Sequence, residues 1–417
     1  MRCWDDPARH RSKKAKTLFH CARIGCILGP TLGGKSGSSK RGAPGGARRV
    51  RGRRPHCARL RRGQGISLIS KAATLLEVAR LAGVSTATVN RVLKQQGYIS
   101  DDARQRVLAA VAATNYRPNV VARGLRTQHT YTIGLMLTAI TVNPLFVGVA
   151  HAVEAAAIAA GYRVVIFNHG GSASHERHGI ETFIAQRVDA VLFCTTASPD
   201  NVEILVDSGI PAIEIERSLT ETARSVRVDN YVGARAAVDH LVGLGHRRIA
   251  FVGGDPAIYP RDLARQRSVE DDRLSAYLDG MAAHGLKPMP DHVRLGTYYD
   301  LDAEISGTEG QQHTNALMAL PEPPTAIFAT CDILATGVLQ SLYRMGKRVP
   351  QDVSVVGFDD TIAAYLAPEL TTVAQPMTAL GRHGFDMALA AIERRKVPDE
   401  IVLETSLVIR NSTGPAP

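Results

Sequence analysis

The sequence predicts an α/β protein in which a small three-helix domain precedes a larger domain made of two doubly wound lobes. From Thr74 to about Leu125, short helical patterns follow one another, with several helix-start signals. From Tyr131 onward, continuous apolar runs alternate with helical stretches, which is typical of parallel sheets covered by helices on both faces. Roughly 280 residues of this alternation are more than one sheet usually needs, so we expect two similar lobes.

The apolar runs of the larger region have the length of buried strands. In chain order they are TIGLML, YRVVIFN, DAVLFC, IPAIEIE, RRIAFVGG, TAIFAT and VSVVGFDD. Helices are expected between them, including one over VGVAHAVEAAAIAAG, one from about Tyr231 to Leu244, one from about Arg273 to His284, and one near Ala335 to Met345.

The charge of the chain is concentrated at its N-terminus. Residues 1–71 contain 19 Lys or Arg and two acids, so they carry +17, and the other 346 residues therefore carry −6 of the total of +11. The basic total describes this segment and is not by itself an argument for a nucleic-acid partner.

Residues 1–71 are rich in Arg, Lys, Gly, Ser and Pro and lack periodicity, so we expect a basic, disordered extension. It is either an arm that tethers DNA or upstream sequence included by a mistaken assignment of the start site. We favour the second interpretation, because an organised domain begins abruptly at Thr74.

Cysteine usage and hydropathy predict a cytoplasmic protein without a membrane partner. Four of the six cysteines lie in the extension, which leaves Cys194 and Cys331 for the region expected to fold and is typical of a reducing compartment. No apolar run reaches about 18 residues, and no export signal is recognisable.

The three-helix region begins with a capping box, TLLE, at Thr74. Gly83 permits a tight turn, Ser85 can cap a second helix from Thr86 to about Lys94, and a third helix follows Ser100. The side chains expected to face inward are Leu76, Val78, Ala79, Ala82, Val89, Val92, Leu93, Val107, Leu108, Val111 and Ala112. Two helices at this spacing form a helix-turn-helix, whose second helix fits the major groove of DNA.

The outer face of the second helix carries Thr86, Ala87, Asn90 and Arg91. Asn and Arg can form bidentate contacts with base edges, and Thr and Ala can contact thymine methyl groups. The alternative is a small helical bundle whose polar face is only solvated. The residue types favour DNA binding.

The segments TLLEVARLAGVSTATVNRVL and YRPNVVARGLRT closely resemble the LacI/GalR family of bacterial repressors, and the resemblance extends from residue 74 to about 413. It implies a periplasmic-binding-protein-like sensor, a homodimer, and a pseudo-palindromic operator in double-stranded DNA. The predicted DNA-binding residues are Ser85, Thr86, Ala87, Asn90, Arg91, Tyr116, Asn119 and Leu125. Asn90 and Lys94 differ from the more usual Ser and Asn of the family, which leaves the preferred operator sequence open.

By the same resemblance, residues 120–125 form a hinge helix in the minor groove, and Leu125 is the apolar wedge that kinks the duplex. Packing of Leu125 within a linker is the alternative, which Arg123 and Arg126 beside it make less favourable. The predicted domains are the extension 1–71, the helix-turn-helix domain 72–117, the hinge helix and linker 118–129, and the effector-binding and dimerisation domain 130–417.

Ligands of doubly wound sheets bind beyond the carboxyl ends of the strands, so side chains there are candidate effector contacts. Phe146 could offer an apolar face to a sugar ring or a base, or pack in the core. Asp332 could accept hydroxyl groups of a polyol or cap a helix, and the family implies effector contact. Arg273 is expected at the start of a helix, where the resembling family usually shows an Arg; it suits sugar hydroxyls or a carboxylate, or could pair at the surface with Asp271 or Asp272.

Further strand ends that the family uses for effector contact carry Glu216, Tyr298 and Cys194, although a polar residue is common at the last of these. Asp229 and Asp359 begin loops between the lobes and are interpreted as hinge and capping residues. The predicted effector-binding residues are therefore Phe146, Glu216, Arg273, Tyr298 and Asp332.

Several formal motifs are rejected. The sequence SGSSKRGAPGG follows the phosphate-loop match at residues 29–36, where a helix would be needed. Residues 175–178, HERH, lack metalloprotease spacing and are expected at a solvated helix start, and the His and Cys residues of the extension are irregularly spaced. No catalytic elbow or dinucleotide fingerprint follows a strand. We expect no catalytic site, no metal site and no cofactor.

The sequence thus predicts a transcriptional regulator, of the repressor type, whose affinity for its operator is controlled by a small polar effector, most simply a carbohydrate. Closure of the lobes in a dimer would change the spacing of two hinge helices, and about 1–3 kcal/mol of coupling suffices. The alternatives are a two-lobed solute-binding protein, which needs an export signal and has no use for residues 74–126, and a sugar-metabolising α/β enzyme.

Overall fold

The computed structural model describes residues 73–117, 129–138, 143–298 and 308–417. The extension 1–71, with its phosphate-loop match and its His and Cys residues, lies outside the described residues. The predicted hinge helix, with Asn119 and Leu125, lies outside them as well.

The small domain consists of three helices around a core of its own. They are α1 (Leu75–Ala82), α2 (Thr86–Lys94) and α3 (Asp101–Thr114). The capping box at Thr74 is present, and the hydroxyl groups of Ser85 and Ser100 cap the next two helices. Gly83 ends α1 with a φ of 63°, a left-handed conformation that glycine adopts without strain.

The core of the small domain differs from the prediction at three positions, although Leu93 and Val111 pack against it as predicted. Its buried members are Val78, Ala79, Ala82, Val89, Val92, Val107 and Ala110. Leu76 and Leu108, predicted to face inward, are 71% and 51% exposed, and Ala112 is exposed too. Because helix positions two residues apart point to nearly opposite sides, Leu76 cannot share the inward face of Val78.

The larger domain contains two sheets. The strands are β1 (Thr132–Leu137), β2 (Arg163–Asn168), β3 (Ala190–Cys194), β4 (Ala212–Ile215), β5 (Arg224–Val228), β6 (Ile249–Gly254), β7 (Val293–Gly296), β8 (Ala326–Ala329), β9 (Ser354–Asp359), β10 (Thr371–Ala374), β11 (Glu400–Leu403) and β12 (Ser406–Val408). The helices are α4 (Pro144–Ala159), α5 (Ala173–Gln186), α6 (Pro199–Asp207), α7 (Asn230–Gly243), α8 (Val269–Ala283), α9 (Thr308–Met318), α10 (Asp332–Arg344) and α11 (Met377–Ile392).

Lobe 1 has the strand order β11-β5-β4-β3-β1-β2, and lobe 2 has the order β12-β10-β9-β8-β6-β7. The pairs are parallel except β10 with β12. In lobe 1, α4 and α11 cover one face of the sheet, and α5 and α6 cover the other. In lobe 2, α7 and α8 lie opposite α9 and α10. The predicted pair of doubly wound lobes is confirmed.

In the described ranges, the chain crosses between the lobes three times: between β5 and α7, between β10 and α11, and between β11 and β12. At the first crossing, Asp229 Oδ1 accepts a hydrogen bond from the backbone N–H of Val232 (3.0 Å), so Asp229 caps α7 as predicted. The crossings place the carboxyl ends of the two sheets on either side of one cleft.

Two helices begin earlier than predicted. α8 starts at Val269 because Ser268 caps it, so Arg273 lies one turn inside the helix and not at its start. α10 starts at Asp332, and its cap is Cys331, so Asp332 is not the capping residue. None of the helices in the described ranges is both long enough and apolar enough to span a membrane.

Candidate functional site

One face of α2 brings the predicted base-contacting side chains together. Its inner face is buried in the three-helix core through Val89 and Val92. Its outer face has two exposed residues, Ala87 and Arg91, and two half-buried residues, Thr86 and Asn90. Residues four apart on a helix lie side by side, so these four side chains form one patch.

Ser85 and Tyr116, two further predicted DNA contacts, take part in the structure of the small domain. Ser85 Oγ accepts a hydrogen bond from the backbone N–H of Thr88 (3.1 Å) and so caps α2. Tyr116 packs against the three-helix core just after α3, and burial raises its pKa.

A cavity of about 380 Å³ lies between the two lobes, at the carboxyl ends of both sheets. Pockets that bind small molecules range from about 300 to 1,000 Å³. The polar lining residues include His169, Thr196, Glu216, Arg217, Arg273, Asp359 and Gln375, and the aromatic ones are Phe146, Tyr259 and Tyr298. Four of the five predicted effector residues therefore lie in one cavity wall: Phe146, Glu216, Arg273 and Tyr298.

Arg273 is buried in lobe 2 and held on three sides. Its Nε donates to Asn230 Oδ1 (2.9 Å), and its Nη1 donates to the backbone oxygen of Thr330 (2.7 Å). Its guanidinium carbon lies 3.9 Å from the centre of the Phe358 ring. These contacts fix the guanidinium at the cavity, so the surface ion pair considered from the sequence is not formed.

Arg217 joins the two lobes beside the cavity. It follows β4 of lobe 1, and its Nη1 and Nη2 donate to the carboxylate of Glu270 in α8 of lobe 2 (3.0 and 2.8 Å). Its Nε lies 3.0 Å from Glu216 Oε2, and its guanidinium stacks over Tyr259 at 5.5 Å. Although burial alone would raise the pKa of Glu270, the charge and hydrogen bonds of Arg217 lower it.

Among the lining residues, His169 Nδ1 and Glu216 Oε2 are buried with no hydrogen-bond partner in the described part of the chain, and two neighbouring side chains carry acceptors of the same kind, namely Asp359 Oδ2 and Gln375 Oε1. The other ends of these side chains meet, because Gln375 Nε2 donates to Asp359 Oδ1 (2.7 Å). Buried acceptors are usually satisfied, so this pair is suited to hydroxyl donors of a ligand. Burial raises the pKa of Asp359, although nearby Arg273 opposes the shift.

The backbone at three of the strand ends is left-handed. Thr195, Glu216 and Asp359 have φ values of 61°, 75° and 117°. Such conformations cost about 1–3 kcal/mol each outside glycine and cluster at ligand sites. All three residues line the cavity, which supports its role as a binding site.

Residues 175–178 lie in the first turns of α5 with His175, Arg177 and His178 exposed, and Glu176 is the residue that departs from the predicted solvated helix start. Its side chain is fully buried in α5, and its carboxylate accepts hydrogen bonds from the backbone N–H groups of residues 197–198 and from Asn201 Nδ2. Because that loop lines the cavity, Glu176 positions part of the wall. His169 also lines the cavity, and burial lowers its pKa to about 4, so it is neutral near pH 7.

Asp332 requires a correction, because it does not line the cavity. Its fully buried carboxylate accepts hydrogen bonds from the backbone N–H of Thr361 and from the hydroxyl of Thr372, both at 2.7 Å. The carboxylate at the cavity belongs to Asp359, the last residue of the neighbouring strand β9. Cys194 is buried in the apolar core of lobe 1 and does not reach the cavity either.

Four further residues line the cavity although they were not predicted from the sequence: His169, Arg217, Tyr259 and Gln375. Asp359 also lines it, although the sequence indicated a hinge and capping residue. The available signal was position, since all but Tyr259 stand at or within two residues of the end of a strand. In the described ranges, no group of His, Cys, Asp and Glu side chains has the arrangement of a metal site.

Comparisons with known proteins match both domains. Residues 74–119 match the family described as bacterial regulatory proteins, lacI family, and residues 238–413 match a periplasmic binding protein-like domain. The ribose operon repressor of Haemophilus influenzae is 32% identical over 346 residues, which cover 82% of this chain and 98% of the relative.

Two solved structures agree in fold. The structure of the Lac repressor dimer bound to operator and the anti-inducer ONPF has a TM-score of 0.68 and 28% identity, and the match covers 82% of this chain and 100% of that one. The complex of the transcriptional regulator CelR with cellobiose has a TM-score of 0.59 and 28% identity, with 82% and 99% coverage.

A helix-turn-helix followed by a two-lobed binding domain defines a DNA-binding transcriptional regulator with an effector site, and not an enzyme. The matched segments span the small domain and most of lobe 2, and the relatives align along nearly their whole length. The chain belongs to the lacI family of bacterial regulatory proteins, so the resemblance inferred from the sequence is confirmed.

Proposed function

We propose that this protein is a homodimeric repressor that binds a pseudo-palindromic operator through α2 and the hinge, and that a small carbohydrate in the cavity controls its affinity for that operator. The main support is that one chain contains both an outward helix face rich in base-contacting residue types and a polar and aromatic cavity between two lobes. Relatives named for ribose and cellobiose support the effector class.

The charges of the wall favour a neutral ligand that carries many hydroxyl groups. The two positive charges of Arg217 and Arg273 are balanced by the carboxylates of Glu216 and Glu270, the raised pKa of Asp359 favours its neutral form, and His169 is neutral. Arg273 can donate to hydroxyl oxygens, and the unpartnered acceptors near β9 can accept from hydroxyl groups. Aromatic rings in the wall can cover the apolar face of a sugar ring.

An effector that contacts both lobes favours the lobe separation that it bridges best. The lobes are joined by the crossing segments, so a change in lobe separation requires movement of these segments and leaves each lobe folded. In a dimer, two such domains present two copies of the small domain to two half-sites, which explains why the operator should be a palindrome.

The test uses two variants with opposite expected effects. Leu125→Ala should weaken binding to the specific operator while effector affinity is unchanged, and Arg273→Ala should weaken effector binding while operator affinity is unchanged. Gel-shift titrations give the first quantity, and a thermal-shift screen of sugars, polyols and nucleobases gives the second, because a ligand of the native state raises the melting temperature.

Equal losses of both affinities in Leu125→Ala would contradict the hinge assignment. A nucleobase that stabilises the protein more than any sugar would contradict the carbohydrate assignment. Absence of any preference for one duplex sequence over random competitor, with and without ligands, would refute the proposed function itself.

A further inference from the structure

A second pocket opens at the opposite edge of the lobe 1 sheet, where the strands begin. Its volume is about 350 Å³, close to that of the cavity between the lobes. The lining combines apolar side chains with basic ones: Ile210, Pro211 and Val397 on the one hand, and Arg224, Arg394 and Arg395 on the other.

Two of the three arginines have no counter-charge among the described residues. Arg395 pairs with Glu393 (2.6 Å), whereas Arg224 and Arg394 form no ion pair within the part of the chain that the structure describes. The Nε atom of Arg224 is also buried without a hydrogen-bond partner there. Arg224 is partly buried and Arg394 is exposed, so desolvation of an unpaired guanidinium group is costly at Arg224, and an anion in the pocket would offset that cost.

Helix ends explain only some of these charges. α11 ends at Ile392, and basic residues just beyond a helix are stabilised by its negative end, which accounts for Arg394 and Arg395. Arg224 is the first residue of β5 and lies on the same sheet face as Val226, toward α11. Helix electrostatics therefore do not account for its place in this pocket.

The pocket lies on the edge of lobe 1 that the chain enters from the linker. The backbone N–H groups of Thr130 and Tyr131 donate to the carboxylate of Asp189 at this edge (2.9 and 2.7 Å). In the sheet, β4 is two strands away from β1, which corresponds to about 10 Å. Because this pocket is at the start of the strands and the effector cavity is at their carboxyl ends, a ligand here would be separated from the cavity by the length of the strands.

We propose that this pocket is a second ligand site that binds a small organic anion, with its phosphate or carboxylate group between Arg224 and Arg394 and its less polar body against Ile210 and Val397. Guanidinium groups bind both kinds of anion through paired hydrogen bonds. A recess with apolar walls suits a metabolite-sized molecule better than the backbone of a duplex, which contacts raised basic surfaces. The inference goes beyond the proposed function and does not require it.

The experiment is calorimetric titration of the full chain with inorganic phosphate, succinate, ribose 5-phosphate and uncharged ribose. Arg394→Ala changes an exposed residue and should keep the fold, and Arg224→Ala removes the inner charge. Arg382→Ala is the matched control, because Arg382 lies on α11 with a side chain 75% exposed and outside the pocket. Arg273→Ala reports on the effector cavity.

We expect at least one charged probe to bind the native chain and the Arg382→Ala control equally. Its Kd should rise about 10- to 150-fold in Arg224→Ala and in Arg394→Ala, as expected for a lost hydrogen bond to a charged group. Arg273→Ala should leave this binding unchanged.

Three results would overturn the proposal: no charged probe binds, the binding is lost in Arg273→Ala but kept in the other variants, or all variants bind alike. A fourth is weaker binding of random duplex DNA by Arg224→Ala and Arg394→Ala with unchanged binding of the small anions, which would make these arginines DNA contacts.

Discussion

The buried ion pair between Arg217 and Glu270 should hold the two lobes together, and Glu270→Gln should weaken that connection. The side chains of Arg217 and Glu270 are 10% and 0% exposed, and two hydrogen bonds join them across the lobe boundary. Gln keeps the size of the side chain and removes its charge, so the substitution isolates the electrostatic part of the contact.

The structure sets the size of the effect. At an effective dielectric constant of about 20, two charges roughly 3 Å apart attract by about 5 kcal/mol, and removing one partner of a buried pair costs about 3–5 kcal/mol. Glu216 Oε2, 3.0 Å from Arg217 Nε, still compensates part of the charge, and Gln can accept one hydrogen bond. We therefore expect the free energy of unfolding to fall by about 2–3 kcal/mol, at or just below the lower limit of that range.

Urea unfolding at pH 7 measures this quantity, and Glu400→Gln is the matched control. The side chain of Glu400 is 36% exposed, and it pairs with Arg227 of lobe 1 and with Arg265 of lobe 2. Exposed pairs contribute about 0–1 kcal/mol, so the same substitution should cost much less there. If Glu270→Gln is as stable as Glu400→Gln, burial does not govern the strength of this contact and the reasoning is refuted.

The remaining predictions concern both binding faces and the pH dependence. Arg91→Ala should lower affinity for the cognate operator about 5- to 150-fold, because a bidentate base contact is worth about 1–3 kcal/mol. Arg106→Ala on α3 is the control and should leave this affinity unchanged. Gel-shift titrations measure both affinities, and equal losses would contradict the assignment of α2. Asp332→Asn should lower the free energy of unfolding by about 1–3 kcal/mol, because buried hydrogen bonds are lost, and should leave effector affinity unchanged. A loss of effector affinity in calorimetric titration, with unchanged stability, would show that Asp332 contacts the effector directly. Because the pKa of Glu270 is lowered in the folded state, its contribution to stability is present above its unfolded pKa of about 4.3 and is lost as the pH falls through the folded pKa. Below about pH 5, the free energy of unfolding should therefore depend less steeply on pH in Glu270→Gln than in the native chain. The same pH dependence in both proteins would rule out this linkage.

Local chemistry could be predicted from the sequence with good accuracy. The caps Thr74, Ser85 and Ser100 act on N–H groups three residues away, so their helices begin where the sequence indicates. The continuous apolar runs predict buried parallel strands for the same reason, because a strand covered on both faces has no polar side.

The candidate site was predictable to the level of strand ends for Phe146, Glu216 and Tyr298, which follow strands in the sequence, whereas Arg273 was indicated by a helix start and by the family resemblance. The sequence could not distinguish Asp332 from Asp359, because both acids stand at or just beyond the end of a strand. That distinction depends on the loop after β9 and on strand β10, whose backbone and hydroxyl groups bind the carboxylate of Asp332.

Only the tertiary structure decided which charges meet. Arg217 and Glu270 are 53 residues apart and lie in different lobes, and Arg224 and Arg394 approach one pocket from a strand and a helix end. Periodicity and capping act over a few residues, whereas these contacts exist only after the sheets are ordered and the lobes are joined. The sequence therefore determined the elements and the class of protein, and the packing of the lobes determined the wall of the cavity and the balance of charge around it.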